Sequence, residues 1–288
     1  FIIGCGLVFL ETSANPYVTE LGEKETATSR LNFSQSFNGL GCLFATFVVG
    51  QFFFSGHFED NHVAVPYTIL GILVLVIALI FSRINLPEIK HAETEEDKIK
   101  GTRIMKLFRH HPMFVFGLFA LLAYEVAEIS INSYFINFVT GQGWLDDNTA
   151  SIVLTIALGF FMVGRFVGSW LMRRIRAEIM LFVCAVASVI SMVVVLLNIG
   201  RFSMVAIIIN YLFEAIMFPT IFSLALNGLG NLKKSAASLL MMTPIGGCGF
   251  LLMGIIADNA NLVITFLIPF FGFFVVLLYA SELMRKRL

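Results

Sequence analysis

Long stretches of this chain carry no Asp, Glu, Lys or Arg. Leu31–Phe58 runs for 28 residues, Asn61–Ser82 and Ile179–Gly200 for 22 each, and Ser235–Ala257 and Asn259–Ser281 for 23 each. A helix of about 20 apolar residues crosses about 30 Å of hydrocarbon, so each run is long enough to span a bilayer. Barrel strands would be about 10 residues long with alternating polarity, and these runs do not alternate. Four further segments are apolar with few charges inside: Phe1–Leu21 with Glu11 at its middle, Pro112–Thr140 with Glu125 and Glu128, Asn148–Met172 with Arg165, and Phe202–Leu229 with Glu214. The pattern predicts an all-α integral membrane protein of nine transmembrane helices, with turns near 83–111 and between the other segments.

Composition agrees. Hydrophobic residues make up 58% and charged residues 13% of 288, against about 25% charge in a soluble domain. The formal net charge is zero, which removes a basic nucleic-acid surface. Of the 19 Lys and Arg, all but Arg165 and Arg201 fall on one side of the alternating topology. The positive-inside rule makes that side cytoplasmic and puts the C-terminus there.

The longest hydrophilic stretch, 87–110, follows three helices and precedes six. We expect a cytoplasmic linker there, with 1–86 the remaining half of an N-terminal six-helix bundle and 111–288 a complete C-terminal one. On that expectation three N-terminal helices of an original twelve lie outside the chain, which starts at Phe1 rather than Met. The four cysteines, Cys5, Cys42, Cys184 and Cys248, lie far apart in apolar runs and predict neither a disulfide nor a metal site. The five histidines fall in predicted loops or at helix ends, and no HExxH or phosphate-loop motif is present. An enzyme or redox subunit therefore has no support in the sequence.

The chemistry lies in the polar residues of the spans. A carboxylate at the bilayer centre costs about 2.5–3.5 kcal/mol on the insertion scale. Out of water a carboxyl group favours its neutral form, so it can load and release a proton. Glu11 has Asn15 one turn along the same face, followed by Pro16. Asn32, Gln35 and Asn38 recur at spacing three as a polar stripe, and amides offer donor and acceptor together to a neutral polyol. Glu125 and Glu128 lie one turn apart, with Asn132 four residues beyond Glu128 and Asn137 further along. Arg165 lies roughly 12 Å inside the cytoplasmic end of its helix, beside Gly164 and Gly168, whose spacing permits close helix contact. That patch reads as a gate or packing element. Glu11, Asn15, Gln35, Asn38, Glu128, Asn132 and Asn137 form the expected solute and proton site.

Several of these stretches resemble a known family. Glu11-Thr-Ser-Ala-Asn15-Pro16-Tyr17 and Arg30-Leu-Asn32-Phe-Ser-Gln35-Ser-Phe-Asn38-Gly are similar to helices four and five of the fucose:proton symporter family of the major facilitator superfamily. Ile216-Met-Phe-Pro219-Thr-Ile-Phe-Ser-Leu resembles its helix ten, and Gly246-Gly247 followed by Gly254-Ile-Ile-Ala-Asp258 its helix eleven. Glu128-Ile-Ser-Ile-Asn-Ser-Tyr-Phe-Ile-Asn137 is closer to the glucose/galactose branch. The resemblance implies alternating access and proton-coupled monosaccharide uptake across a bacterial inner membrane. It implies a monomer with no cofactor beyond the proton as coupling ion. Glu11 would match the family's helix-four carboxylate, and Gln35 and Asn38 its sugar-binding amides. The family's other key carboxylate is on helix one, outside this chain. Glu214 stands where an uncharged residue, usually Asn, is expected. The alternatives are a facilitator or exporter of another polar solute and, further off, a membrane-embedded enzyme.

Overall fold

The computed structural model describes residues 2–54, 64–84, 100–259 and 261–286. Every regular element among them is helical. They are α1 (Ile2–Glu20), α2 (Ala27–Phe54), α3 (Ala64–Phe81), α4 (Lys100–His110), α5 (Pro112–Gly141), α6 (Asp147–Leu171), α7 (Ala177–Leu196), α8 (Arg201–Glu214), α9 (Met217–Ala225), α10 (Lys233–Leu240), α11 (Phe250–Asn259) and α12 (Leu267–Arg285). Short 3₁₀ turns precede α2, α10, α11 and α12. Six segments among the described residues are long and apolar enough to cross a membrane. They are Pro112–Gly141, Asp147–Leu171, Ala177–Leu196, Arg201–Ala225, Gly230–Asn259 and Ile264–Arg285. These overlie the last six predicted spans, and α1, α2 and α3 overlap the first three.

The chain divides into two compact units. One comprises Asn38–His91. In it α3 is apolar on all sides and exposes Ile69, Ile72, Leu75, Leu79 and Phe81, as a lipid-facing helix does. The other comprises Phe1–Phe37 with Ala92–Leu288. Its centre is α5, which packs on α12, α9, α6 and the 3₁₀ turn Thr243–Gly249. Tyr124, Phe135 and Phe138 of α5, Tyr211 of α8, and Phe273 and Tyr279 of α12 are fully buried there. Helices in lipid associate through close backbone approach rather than apolar surplus, and glycines set the distances. A Cβ on Gly272 would lie 2.6 Å from the Ala123 carbonyl oxygen, and one on Gly246 2.8 Å from that of Leu122.

Two spans are interrupted. Arg201–Ala225 breaks at Ala215–Ile216, between α8 and α9, where a single helix is predicted. Pro219 has no amide hydrogen to give the Ala215 carbonyl, and its ring crowds that turn. Gly230–Asn259 breaks at Thr243–Gly249, which contains Pro244, Gly246 and Gly247. Glycine there also allows the turn to lie flush on α5.

The segment 100–110 corrects a second expectation. It is predicted as loop and is the helix α4, packed on α5 and α10. Leu107 is fully buried while Met105 and Phe108 are exposed. One apolar stripe among basic residues makes an amphipathic helix, which a search for uncharged runs passes over. It ends where Pro112 opens α5, a residue suited to a helix start. Asp146 caps α6, accepting hydrogen bonds from the Thr149 hydroxyl (2.6 Å) and amide (3.2 Å). These bonds hold its carboxyl below the usual carboxylate range. The cap's contribution is therefore complete above the ordinary carboxylate range and is lost as pH falls through the lowered value.

Within α6, Gly159 has open space at its Cβ position, whereas a Cβ on Gly164 would lie 2.6 Å from the Leu212 carbonyl oxygen and 3.0 Å from Ala215 Cβ. Gly159→Ala is expected to keep or raise stability, by up to about 1 kcal/mol of helix propensity. Gly164→Val is expected to lower it by about 1–3 kcal/mol through overpacking against backbone. Thermal unfolding of the detergent-purified protein checks both.

Candidate functional site

Glu11 and Asn15 stand one turn apart on α1, Glu11 half-buried and Asn15 buried. Pro16 is inside the same helix, so the Thr12 carbonyl receives no amide hydrogen from it. The local hydroxyls turn back to other carbonyls: Thr12 donates to Val8 (2.6 Å), Ser13 to Phe9 (2.9 Å) and Thr19 to Pro16 (2.7 Å). Asn15 turns instead to neighbouring elements.

The Gln35 side chain of α2 donates from Nε2 to Asn15 Oδ1 at 2.8 Å. Arg165 of α6 donates from Nη1 to the Gln35 carbonyl at 2.8 Å and, at 3.4 Å, toward Gln35 Oε1. A continuous polar chain, Asn15–Gln35–Arg165, therefore ties three helices together. The Asn15 amide also contacts Met241 Sδ at 3.8 Å. Arg165 is 8% exposed, so its charge is largely shielded from water. The Phe161 ring lies 4.7 Å from its guanidinium carbon, a cation–π contact. Its Nε is buried without a hydrogen-bond partner among the described residues.

The charge of Arg165 reaches three carboxyl groups: Glu11 on α1, and Glu125 and Glu128 on α5. Glu125 also feels Glu11 directly. Four ionisable groups from α1, α5 and α6 thus share one electrostatic neighbourhood, with Glu125 and Arg165 buried and Glu11 and Glu128 partly exposed. An uncompensated charge there is costly, and so is removing one member.

The predicted residues separate as follows. Glu11, Asn15, Gln35 and Glu128 are brought into this neighbourhood. Asn132 lies one turn beyond Glu128 on the same face, and its Oδ1 is buried without a partner among the described residues. Asn137 is nine positions beyond Glu128, half a turn around α5, and exposed; the structure does not bring it to that face. Asn38 begins the second compact unit, where it is exposed. Asn32 is fully buried and turns to α9, donating to Thr220 Oγ1 at 3.1 Å and to the Thr28 carbonyl at 3.0 Å. The stripe at spacing three therefore does not act as one surface. Gly164 and Gly168 pack against Leu212 and Ile216, on either side of the α8–α9 break.

Sequence reasoning passes over a polar clasp at the end of the site where α1 finishes and α2 begins. Ser29 Oγ donates to the Ser169 carbonyl at 2.7 Å, and Ser169 Oγ returns a bond to the Ser29 carbonyl at 2.9 Å. Thr28 and Ser223 share a hydroxyl bond at 2.9 Å. Lys233, opening α10, pairs with Glu20, closing α1. Beside it is a cavity of about 350 Å³ lined by Thr26, Ser29, Arg30, Phe33 and Arg173. Small hydroxyl residues in an apolar helix carry no periodic signal, and only Glu20 and Lys233, opposite charges at neighbouring helix ends, hint at the contact.

Comparison with known proteins gives the context. Residues 1–247 match the Major Facilitator Superfamily. The chain is 33% identical over 279 residues to a glucose/galactose transporter of Brucella abortus, covering 93% of this chain and 66% of that protein. It is 29% identical over 314 residues to the L-fucose-proton symporter of Escherichia coli, covering 97% and 70%. It superposes on the crystal structure of the transporter FucP in the outward conformation with a TM-score of 0.89 at 27% identity, covering 98% of this chain and 74% of that one. The chain spans just under two thirds of the length of the Brucella relative. It belongs to the Major Facilitator Superfamily and is a multi-pass membrane protein.

Ser29→Ala and Ser169→Ala each remove one cross-helix hydrogen bond. Each is expected to cost about 0.6–1.5 kcal/mol, with the double variant departing from the sum because the two hydroxyls lie 3.5 Å apart in one network. Unfolding midpoints of the purified variants measure this, and an unchanged double variant would show that the clasp holds nothing.

Proposed function

We propose that this member of the Major Facilitator Superfamily carries a monosaccharide of the fucose or glucose/galactose type together with a proton, by alternating access. The observation that carries the reading is the Asn15–Gln35–Arg165 chain set beside Glu11, Glu125 and Glu128. A neutral polyol needs paired donors and acceptors, and each such bond is worth roughly 0.5–1.5 kcal/mol net. The amides of Asn15 and Gln35 supply both kinds. The unpartnered Nε of Arg165 and Oδ1 of Asn132 add an open donor and an open acceptor. Proton coupling needs a carboxyl group whose ionisation changes as the sugar binds. Glu11, half-buried beside Asn15 and within reach of Arg165, fits that task. Two similar proteins carry names that state the same classes, glucose/galactose transporter and L-fucose-proton symporter.

The segment before 87–110 rocks against the segment after it, with 87–110 as the cytoplasmic linker. The clasp at Ser29, Ser169, Glu20 and Lys233 lies on the Lys/Arg-rich side, which the positive-inside rule makes cytoplasmic. It is the closed gate of an outward-facing carrier. The C-terminus is then cytoplasmic, the membrane is the bacterial inner membrane, and the protein works as a monomer with the proton as its coupling ion.

In vesicles bearing an imposed pH gradient, Glu11→Gln is expected to abolish sugar accumulation while leaving sugar counterflow intact. Accumulation equal to the unmodified protein would remove Glu11 from the mechanism. Gln35→Ala is expected to weaken sugar binding by about 2- to 13-fold, the equivalent of one neutral hydrogen bond.

A further inference from the structure

Glu214 is the last residue of α8, immediately before the break at Ala215–Ile216. It is completely buried. No described cation pairs with it, and the charge acting on it is that of Glu128. Asn210, one turn back, donates from Nδ2 to Glu214 Oε2 at 2.7 Å. Glu214 Oε1 and Asn210 Oδ1 are both buried and have no partner among the described residues.

Those two leftover atoms are the pair that a cyclic acid–amide arrangement joins. With a proton on Oε1, the carboxyl donates to Asn210 Oδ1 while the amide donates to Oε2, and both orphans are satisfied. Without it, both acceptors stay unpartnered among the described residues, and a buried carboxylate has one amide hydrogen alone. A buried polar group lacking its hydrogen bond costs roughly 1–3 kcal/mol, and a charged one more. Tyr124 of α5 connects this pair to the rest of the site. Its hydroxyl donates to the Glu214 backbone carbonyl at 3.1 Å, and Tyr124 stands one turn before Glu128 on the same helix. Tyr211, on the same turn as Asn210, is buried with its hydroxyl unpartnered among the described residues. The other helices packed on α8 contribute Arg165 and Asp147 (α6) and Glu178 and Cys184 (α7), and α9 contributes no titratable group.

We propose that Glu214 is a second proton-binding group of the carrier, holding its proton in an acid–amide pair with Asn210 and exchanging it with Glu128 when the α8–α9 break moves. In the exchange one O–H bond on Glu214 breaks and one forms on a Glu128 carboxylate oxygen, so the negative charge passes from Glu128 to Glu214 and no other reactant is needed. The break supplies the motion. A discontinuous helix with a polar group at its broken end is where transporters place ion sites, and here the Gly164 and Gly168 faces of α6 pack against the residues flanking it. The role in transport rests on the proton-coupled reading above; the resting protonation of Glu214 does not.

Infrared difference spectroscopy of the full chain in membranes tests this through the carbonyl stretch of protonated carboxyl groups. A band present at neutral pH is expected to be lost in Glu214→Gln, to shift in frequency in Asn210→Leu, and to persist in Glu214→Asp. Glu128→Gln is expected to shift the pH at which that band disappears. The pH dependence of sugar binding should lose one step in Glu214→Gln and keep it in Glu214→Asp. Superimposable spectra of the unmodified protein and Glu214→Gln would overturn the proposal. Should Glu214→Gln not fold, an unchanged band in Asn210→Leu overturns it equally. A Glu214 band in a protein that moves no sugar would leave this inference standing and refute the transport reading.

Discussion

One buried cation organises the interior of this molecule. Arg165 lies inside a helix otherwise apolar enough to span a membrane, where an ionised side chain is expensive unless its neighbours compensate it. The compensation comes mostly from other helices, with the Gln35 carbonyl from α2, the field of Glu11 from α1 and that of Glu125 and Glu128 from α5; its own helix adds only the Phe161 face. Because these groups are needed together, α1, α2, α5 and α6 are held in register around one point. The amides most suited to a neutral polar solute, Asn15 and Gln35, are members of the same chain of contacts. Binding a solute there exchanges hydrogen bonds within an electrostatic unit already balanced, so solute and proton can report on each other.

The interruptions in the spans supply the freedom that such balance would otherwise deny. A continuous helix transmits displacement along its axis, whereas a helix broken at Ala215–Ile216 can turn one half while the other stays packed. Pro219, Pro244, Gly246 and Gly247 place both breaks against α5, the central helix. At the far end the reciprocal Ser29–Ser169 bonds and the Glu20–Lys233 pair are individually weak. A gate that must open repeatedly is better held by several bonds of about 1 kcal/mol than by one large apolar seam.

Much of this is legible in the residues. Three uncharged runs of 22 or 23 residues, 179–200, 235–257 and 259–281, overlie three of the six spans among the described residues because hydrocarbon tolerates few exceptions. Glu11 with Asn15 at four residues is legible because helical spacing puts them on one face. The misses share a cause: patterns along one helix do not say what the neighbouring helix offers. Asn32, Gln35 and Asn38 look like a single stripe, yet Asn32 turns to Thr220 and Gln35 to Asn15. Asn137 looks like part of the Glu128 series until its nine-residue offset is converted to half a turn. Arg165 reads from the sequence as a gate or packing element, and its hydrogen bond to Gln35 on α2, 130 residues away, is not visible along its own helix. Helix α4 is missed because its one apolar stripe is diluted by basic residues. Resemblance to the symporter family points to Glu11, Gln35 and Asn38, and of the two amides the hydrogen bond to Asn15 involves Gln35.

The central claim, that Arg165 and the intramembrane carboxyl groups form one electrostatic unit, is tested most directly by a double-mutant cycle on thermal stability using Arg165→Gln and Glu11→Gln in the purified protein. Groups that share a network show coupling of about 0.5–3 kcal/mol, whereas independent sites add within roughly 0.3–0.5 kcal/mol. The account predicts coupling of the first kind, with the second substitution costing less once the first is made. Additive losses would contradict it.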